Sequence, residues 1–496
     1  VSVLALDAGT TGVTALLVGV DGSVAARGYC EFAQHFPQAG WVEHAPEEIW
    51  SAALAAVADA LDCGRDLGVE APSCVGVTNQ RETVVLWDRR SLAAPRRAIV
   101  WQDRRTADIC GQLRADGHEA EVARLTGLRL DPYFSATKLM WLARNEPHTW
   151  AAVRSGRTAV GTVDSYLVAR MTRGRHHVTD ASNASRTLLF DLSTGAWSPR
   201  MCELFDVPVE ALPQVVPSYG VVGRTDPSAF LGLDLPIAGI AGDQQAALFG
   251  QTCFAVGESK CTYGTGSFIL VNTGDVPVRS TTGLLTTVAW GHPDGRLDYA
   301  LEGAIFVTGA AVQWLRDGLH LVGSAAETEA LAGTVQDSGG VVFVPALTGL
   351  GAPDWDPSAR GLIIGITRGT TGAHLARATL EAIAYEVRDV ADLMHRESGV
   401  ALPHLTVDGG ASANNLLCQL QADQLGVAVR RPQVRETTAL GAAFLAGLGT
   451  GVWSSTEELS RTWRLEREFT PGSRDEAGHR RWRAAVARSK DWAGQG

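Results

Sequence analysis

The first thirty residues restrict the fold more than any other stretch. Four apolar residues, Val3 to Leu6, run into Asp7-Ala8-Gly9-Thr10-Thr11-Gly12, and a second apolar run follows from Thr14 to Val20. Asp21-Gly22 is a favoured two-residue hairpin turn, after which Val24 resumes the pattern. The predicted order is strand, Gly/Thr turn, strand, hairpin, strand. A dinucleotide-binding start differs, because there the glycine turn leads directly into a helix.

A second strand–turn unit is predicted at Ile237–Ile240 with Gly242-Asp243-Gln244-Gln245. Thr262-Tyr263-Gly264-Thr265-Gly266-Ser267 follows it and precedes the apolar run Phe268–Val271. Pro46 to Cys63 reads as a helix with Ile49, Trp50, Ala53, Leu54, Val57 and Leu61 on one face and Gly64 after it. Strand-like runs recur at Cys74–Thr78 and Thr83–Trp87. The last third alternates Val341–Val344, a helix from about Ala373 to Arg396, and Leu405–Val407 ending on Asp408-Gly409-Gly410. A helix from about Asn415 to Leu425 and a strand at Val427–Val429 complete it. Such alternation implies an α/β architecture. At 496 residues the chain exceeds one ordinary core, so two domains are expected, 1–250 and 251–496. The Gly/Thr turns in the two halves suggest a duplication.

A formal charge of −11 argues against a nucleic-acid surface, which needs a basic patch to displace counterions. Eight cysteines are scattered from Cys30 to Cys418 without a C-x-x-C pair, against a zinc site or a disulfide framework. Val1 to Asp7 carries no basic stretch before an apolar core, so no signal peptide is expected. Ala439 to Trp453 is Gly-rich and too short to span a bilayer. The chain therefore reads as cytoplasmic, with no integral membrane segment.

Glycine lets backbone N–H groups approach phosphate oxygens, threonine adds hydroxyl donors, and a strand-end aspartate can organise magnesium. One such turn is equally well an ordinary β-turn. Three of them after strands, two with threonine and two with aspartate, suggest one nucleotide held between two domains.

In that order and spacing the loops resemble the phosphate and adenosine motifs of the actin-like (ribonuclease H-like) ATPase fold. Within it the chain resembles the FGGY carbohydrate kinases. Tyr133-Phe134-Ser135-Ala136-Thr137-Lys138-Leu139-Met140-Trp141-Leu142 matches one family signature. Gly361-Leu362-Ile363-Ile364-Gly365-Ile366, through His374-Leu375 to Ala378-Thr379-Leu380-Glu381, matches the other. Gly40-Trp41-Val42-Glu43-His44, Thr78-Asn79-Gln80-Arg81-Glu82-Thr83, Val100-Trp101-Gln102 and the run Ala241 to Gly250 are closest to the branch that phosphorylates glycerol.

The resemblance implies ATP and Mg²⁺ as cofactors, glycerol as substrate and a homo-oligomer, dimer or tetramer. It implies that Arg81, Glu82, Tyr133, Asp243 and Gln244 bond the hydroxyls while Trp101 and Phe268 cover the carbons. Asp243 would be the general base, and Asp7 and Asp243 would serve the metal. Thr10, Thr11, Gly12, Thr265, Gly309, Gln313, Gly410 and Asn414 would contact ATP. One departure is Thr14, where this family branch commonly carries an arginine. Two rivals are weighed beside this reading: a family kinase for a longer polyol or ketose, and a non-catalytic actin-like ATPase.

Overall fold

In the computed structural model, which describes residues 1–495, the opening stretch forms antiparallel strands Ser2–Ala8, Gly12–Gly19 and Val24–Glu31. Pro72–Asn79 and then Pro236–Gly242 extend the sheet in parallel, and Tyr219–Arg224 closes that edge antiparallel. The second half repeats the order. Ser259–Tyr263, Ser267–Gly274 and Leu297–Ile305 are antiparallel neighbours, and His404–Asp408 and Ala428–Pro432 add in parallel. Leu465–Phe469 closes its edge antiparallel, and Leu285–Gly291 pairs on the other side with Leu297–Ile305. The same five-strand order in both sheets gives the suggested duplication a topological basis. Among the described residues no helix is long and apolar enough to cross a membrane.

The helix Pro46–Asp66 buries Ile49, Trp50, Ala53 and Val57, the face its periodicity predicts, against Gly12–Gly19 and Val24–Glu31. It does not end at Gly64. A Cβ there would stand 2.5 Å from Leu17 Cδ1, so this glycine serves close packing rather than termination. Similarly, the unit at Gly242-Asp243 is not a strand and turn. The strand Pro236–Gly242 passes directly into a helix, Asp243–Gly250, and Asp243 is its first residue.

That helix and Thr437–Thr450 lie between the sheets. They share one buried cluster with Val3, Ala5 and Ala241 of the first sheet and Leu270 and Ala300 of the second. Although late in the chain, Thr437–Thr450 packs on Pro72–Asn79 and Pro236–Gly242. The two helices touch backbone to backbone: a Cβ on Gly441 would lie 1.8 Å from the Ala246 carbonyl oxygen. Gly441→Ala should therefore destabilise the protein by about 1–3 kcal/mol, the usual cost of overpacking, despite alanine's better helix propensity. Gly111, in the helix Ala107–Ala115, is the opposite case: a Cβ added there would meet nothing within 4 Å, so Gly111→Ala should gain about 0.5–1 kcal/mol. Urea unfolding of both variants checks the contrast; equal effects would refute the packing argument.

His177 supplies a pH-dependent contribution. Its Nε2–H donates to the Val160 carbonyl at 2.9 Å, and Nδ1 accepts from Arg89 Nη1 at 3.1 Å. Burial, with Arg89 alongside, holds its pKa down to about 4. Between the ordinary value of 6.5 and about 4 the unfolded chain binds a proton that the folded chain refuses, so stability falls as pH falls. His177→Gln should flatten that slope by about one proton, or about 1.4 kcal/mol per pH unit. An unchanged difference between pH 4.5 and 6.5 in urea titrations would contradict the assignment.

Candidate active site

Arg81 and Glu82 follow the strand Pro72–Asn79, with Glu82 in the left-handed region at φ 63°. Both are buried. The Arg81 guanidinium donates from Nη1 to Glu302 Oε2 at 2.5 Å, and from Nη2 to Glu302 Oε1 and the Tyr133 hydroxyl at 3.1 Å each. Its Nε lies 3.1 Å from Asp243 Oδ1. A second buried arginine, Arg186, donates from Nε to Glu82 Oε1 at 2.7 Å and from Nη2 to Glu302 Oε1 at 2.9 Å. Two arginines and two glutamates thus alternate in one buried cluster, with Asp243 at its edge. Burial pushes Glu302 up, but Arg186 and Arg81 pull harder and leave its carboxyl below the ordinary range. For Glu82 and Asp243 burial wins, and both carboxyls are raised.

Aromatic side chains form the wall over this cluster. Trp101 stands edge-on to Tyr133 and Phe268, at 5.7 and 6.3 Å between ring centres. Trp101 Nε1 donates to Thr10 Oγ1 at 3.0 Å, tying the wall to the first Gly/Thr turn. Lys138, buried, donates to the carbonyls of Pro132, Tyr133 and Phe134 and so holds the segment that carries Tyr133. A cavity of ≈ 350 Å³ is lined by Trp101, Tyr133, Phe268 and Thr265, together with Arg104 and Thr348.

A second cavity, of ≈ 400 Å³, gathers Thr265, Gly309, Gln313, Gly410 and Asn414. Val312, Leu380 and Leu417 give it apolar walls, suited to a flat base. The turn at Thr265 rests on the start of the helix Gly309–Asp317, since Gly309 N donates to the Gly264 carbonyl at 3.0 Å. Gly409, at φ 82°, lies where a Cβ would meet the Tyr263 carbonyl oxygen at 2.5 Å, so only glycine fits. Asn414 Oδ1 caps the helix Asn415–Leu425 by accepting from Leu417 N, leaving its amide nitrogen for the cavity. Thr10, Thr11 and Gly12 do not line this cavity. Gly9 N donates to Gly12 O at 3.0 Å to close their turn, and Gly12 packs against the Tyr29 hydroxyl.

Strand register sets Thr14 beside Asp7 on one side and Tyr29 on the other. Arg27 is engaged elsewhere, 3.8 Å from Glu436 and over the Tyr29 ring. No arginine therefore replaces the missing one from that strand. Thr14→Arg should tighten ATP binding by restoring a cation beside the first turn. Calorimetry showing unchanged or weaker affinity would contradict this.

Family models match both halves of the chain. Residues 2–250 match the N-terminal domain of the FGGY family of carbohydrate kinases, and residues 259–450 match its C-terminal domain. The chain belongs to the FGGY family. It is 53% identical over 496 residues to a glycerol kinase of Symbiobacterium thermophilum, covering 99% of each chain. It is 54% identical over 498 residues to a glycerol kinase of Aromatoleum aromaticum, again covering 99% of each. Among solved structures it matches Plasmodium falciparum glycerol kinase with ADP at a TM-score of 0.91 and 33% identity, covering 98% of both chains. Xylulose kinase from Rhodospirillum rubrum matches at 0.83 and 26%, covering 100% of this chain and 98% of that one. The molecule is thus a two-domain carbohydrate kinase of actin-like fold.

Arg186, Glu302 and Lys260 are absent from the residues that the sequence singles out. Glu302 carries a usable signal: it is the one charge in Tyr299-Ala300-Leu301-Glu302-Gly303-Ala304-Ile305, a run that is buried throughout. A carboxylate in such a strand requires a partner. Arg186 and Lys260 give no comparable local cue.

Proposed function

We infer that this FGGY kinase transfers the γ-phosphoryl group of ATP to glycerol, giving sn-glycerol 3-phosphate and ADP. One observation carries the reading: Thr265 lines both the glycine-rich cavity and the aromatic one. A nucleotide in the first and a short polyol in the second would meet at that residue. Trp101, Tyr133 and Phe268 line that second cavity as an apolar edge. Arg81, Glu82, Asp243 and Gln244 do not line it, but Arg81 bonds Tyr133 and stands over Phe268. This polar group therefore adjoins the aromatic wall and would supply the donors and acceptors that a triol needs. Arg81 holds Asp243 in place through Oδ1, and Gln244 N donates to the same oxygen at 2.7 Å. Oδ2 has no protein donor among the described residues and is the oxygen that would take the hydroxyl proton.

Mg²⁺ belongs to the same reading. Among the described residues no cluster of three or more His, Cys, Asp or Glu side chains is arranged to hold a metal. Asp7 and Asp243 nevertheless suit a cation shared with phosphate oxygens, because carboxylates are the hard oxygen donors Mg²⁺ takes and Asp7 makes no side-chain hydrogen bond or ion pair among the described residues. Burial and the Asp243 charge raise the Asp7 carboxyl to about 7. When bound there, the metal would neutralise charge on the transferred group. Thr10, Thr11 and Gly12 would serve the phosphates from the N-terminal half, and Gly309, Gln313, Gly410 and Asn414 the rest of the nucleotide.

ADP release measured with glycerol, with a pentitol, with a ketose and without acceptor tests the reading. Turnover with glycerol far above the rest is expected. Equal turnover with a pentitol or ketose would favour a kinase of a longer substrate, and acceptor-independent hydrolysis would favour an actin-like ATPase.

A further inference from the structure

Lys260 lies in the strand Ser259–Tyr263 with its side chain wholly buried. Its Nζ donates to Gln244 Oε1 and, at 2.9 Å, to Thr262 Oγ1. No carboxylate lies within ion-pairing distance among the described residues. Burial pushes Lys260 down from the ordinary lysine range, and Asp408 and Asp243 pull it back from further away. A buried ammonium without a direct ion pair is costly, so its contacts call for an explanation.

The chemistry of the two side chains supplies one. An ammonium only donates, whereas a glutamine amide has one accepting and one donating end. With Lys260 on one side, the amide oxygen of Gln244 must face it. Gln244 Nε2 then points the other way, and among the described residues it finds no protein acceptor. The preceding residue, Asp243, presents the free acceptor Oδ2. Acceptor and donor stand on adjacent residues at the start of one helix, which is the complement of a single hydroxyl group: its hydrogen goes to the carboxylate and its lone pair to the amide. A flipped amide would turn a second acceptor on that hydroxyl and repel it.

We propose that Lys260 is a positioning residue that fixes the Gln244 amide with its N–H₂ end toward the substrate hydroxyl. This rests on the glycerol reading above and names a residue through which that site would discriminate. Lys260 acts through Gln244, so its effect depends on Gln244 being present.

The test is steady-state kinetics with glycerol for wild type, Lys260→Met, Gln244→Ala and the double variant, each checked by thermal melting. Lys260→Met should lower kcat/KM for glycerol about ten- to hundredfold, mainly through KM, the range for losing a well-placed bond to a charged or oriented group. In the Gln244→Ala background the same change should alter kcat/KM less than about twofold. Equal losses in both backgrounds, or no loss from Lys260→Met alone, would overturn the proposal. Gln244→Glu keeps a partner for Lys260 but deletes the donor, and it remains informative should Lys260→Met fail to fold. It should melt no lower than wild type yet raise KM for glycerol at least tenfold, and an unchanged KM would overturn the proposal. Wild type without activity on glycerol would overturn both this proposal and the glycerol reading, whereas an active wild type with additive variants would overturn this one alone.

Discussion

Asp243→Asn should fold like wild type and lose about 10²–10⁴-fold in turnover, the range for removing a general base. The amide is isosteric, and its oxygen can keep the contacts that Oδ1 makes with Arg81 and Gln244 N. What disappears is a group able to take a proton at Oδ2. Burial holds the Asp243 carboxyl above the ordinary range against Arg81 and Lys260, which strengthens it as a base. The fold should survive because the buried cluster remains balanced without Asp243: Arg81 and Arg186 still face Glu82 and Glu302. The measurement is kcat with saturating glycerol and ATP, beside a melting curve. Near wild-type turnover from a folded variant would remove Asp243 from the base role.

Glu302→Gln should do the opposite, damaging the fold first. Glu302 accepts three hydrogen bonds from two guanidinium groups and is wholly buried. Removing its charge leaves Arg81 and Arg186 facing one buried glutamate, and the new amide turns donors toward donors. Breaking a buried pair on one side typically costs about 3–5 kcal/mol. Arg81 and Arg186 come from the first half of the chain and Glu302 from the second sheet, so the loss falls on the contact between the halves. Affinity for glycerol should fall as well, since Arg81 would be drawn toward Asp243. Urea unfolding and glycerol KM together check this. A stability change below about 1 kcal/mol would mean that the arginines find compensation elsewhere.

Local chemistry makes much of this protein legible in its sequence. Asp7 to Gly12, Thr262 to Ser267 and Asp408 to Gly410 read as turns after strands because glycine, threonine and aspartate act on their own backbone. The helix Asn415–Leu425 has the bounds its sequence predicts because its cap and its closing glycine lie beside the segment. Where a glycine serves a distant contact, the local reading fails. Gly64 reads as a stop and is a packing position, and Gly242 reads as a turn and is the last residue before a helix.

The division is sharpest at the candidate site. From sequence, Arg81, Glu82, Trp101, Tyr133, Asp243, Gln244 and Phe268 can be named through runs that resemble a family. Which atoms they use cannot. Arg81 meets Glu302 across 221 residues of chain, Arg186 meets the same glutamate across 116, and Lys260 reaches Gln244 from the next strand. A charge within an apolar strand signals that it needs a partner but does not name it, and the free energy of burying it depends on that partner. The sequence by itself determined the turns, the helix faces and the two-part plan, since each follows from neighbours along the chain. Tertiary structure alone decided the alternating charge cluster, the free oxygen of Asp243 and the facing of Gln244, because each depends on residues from separate strands being brought within hydrogen-bond distance.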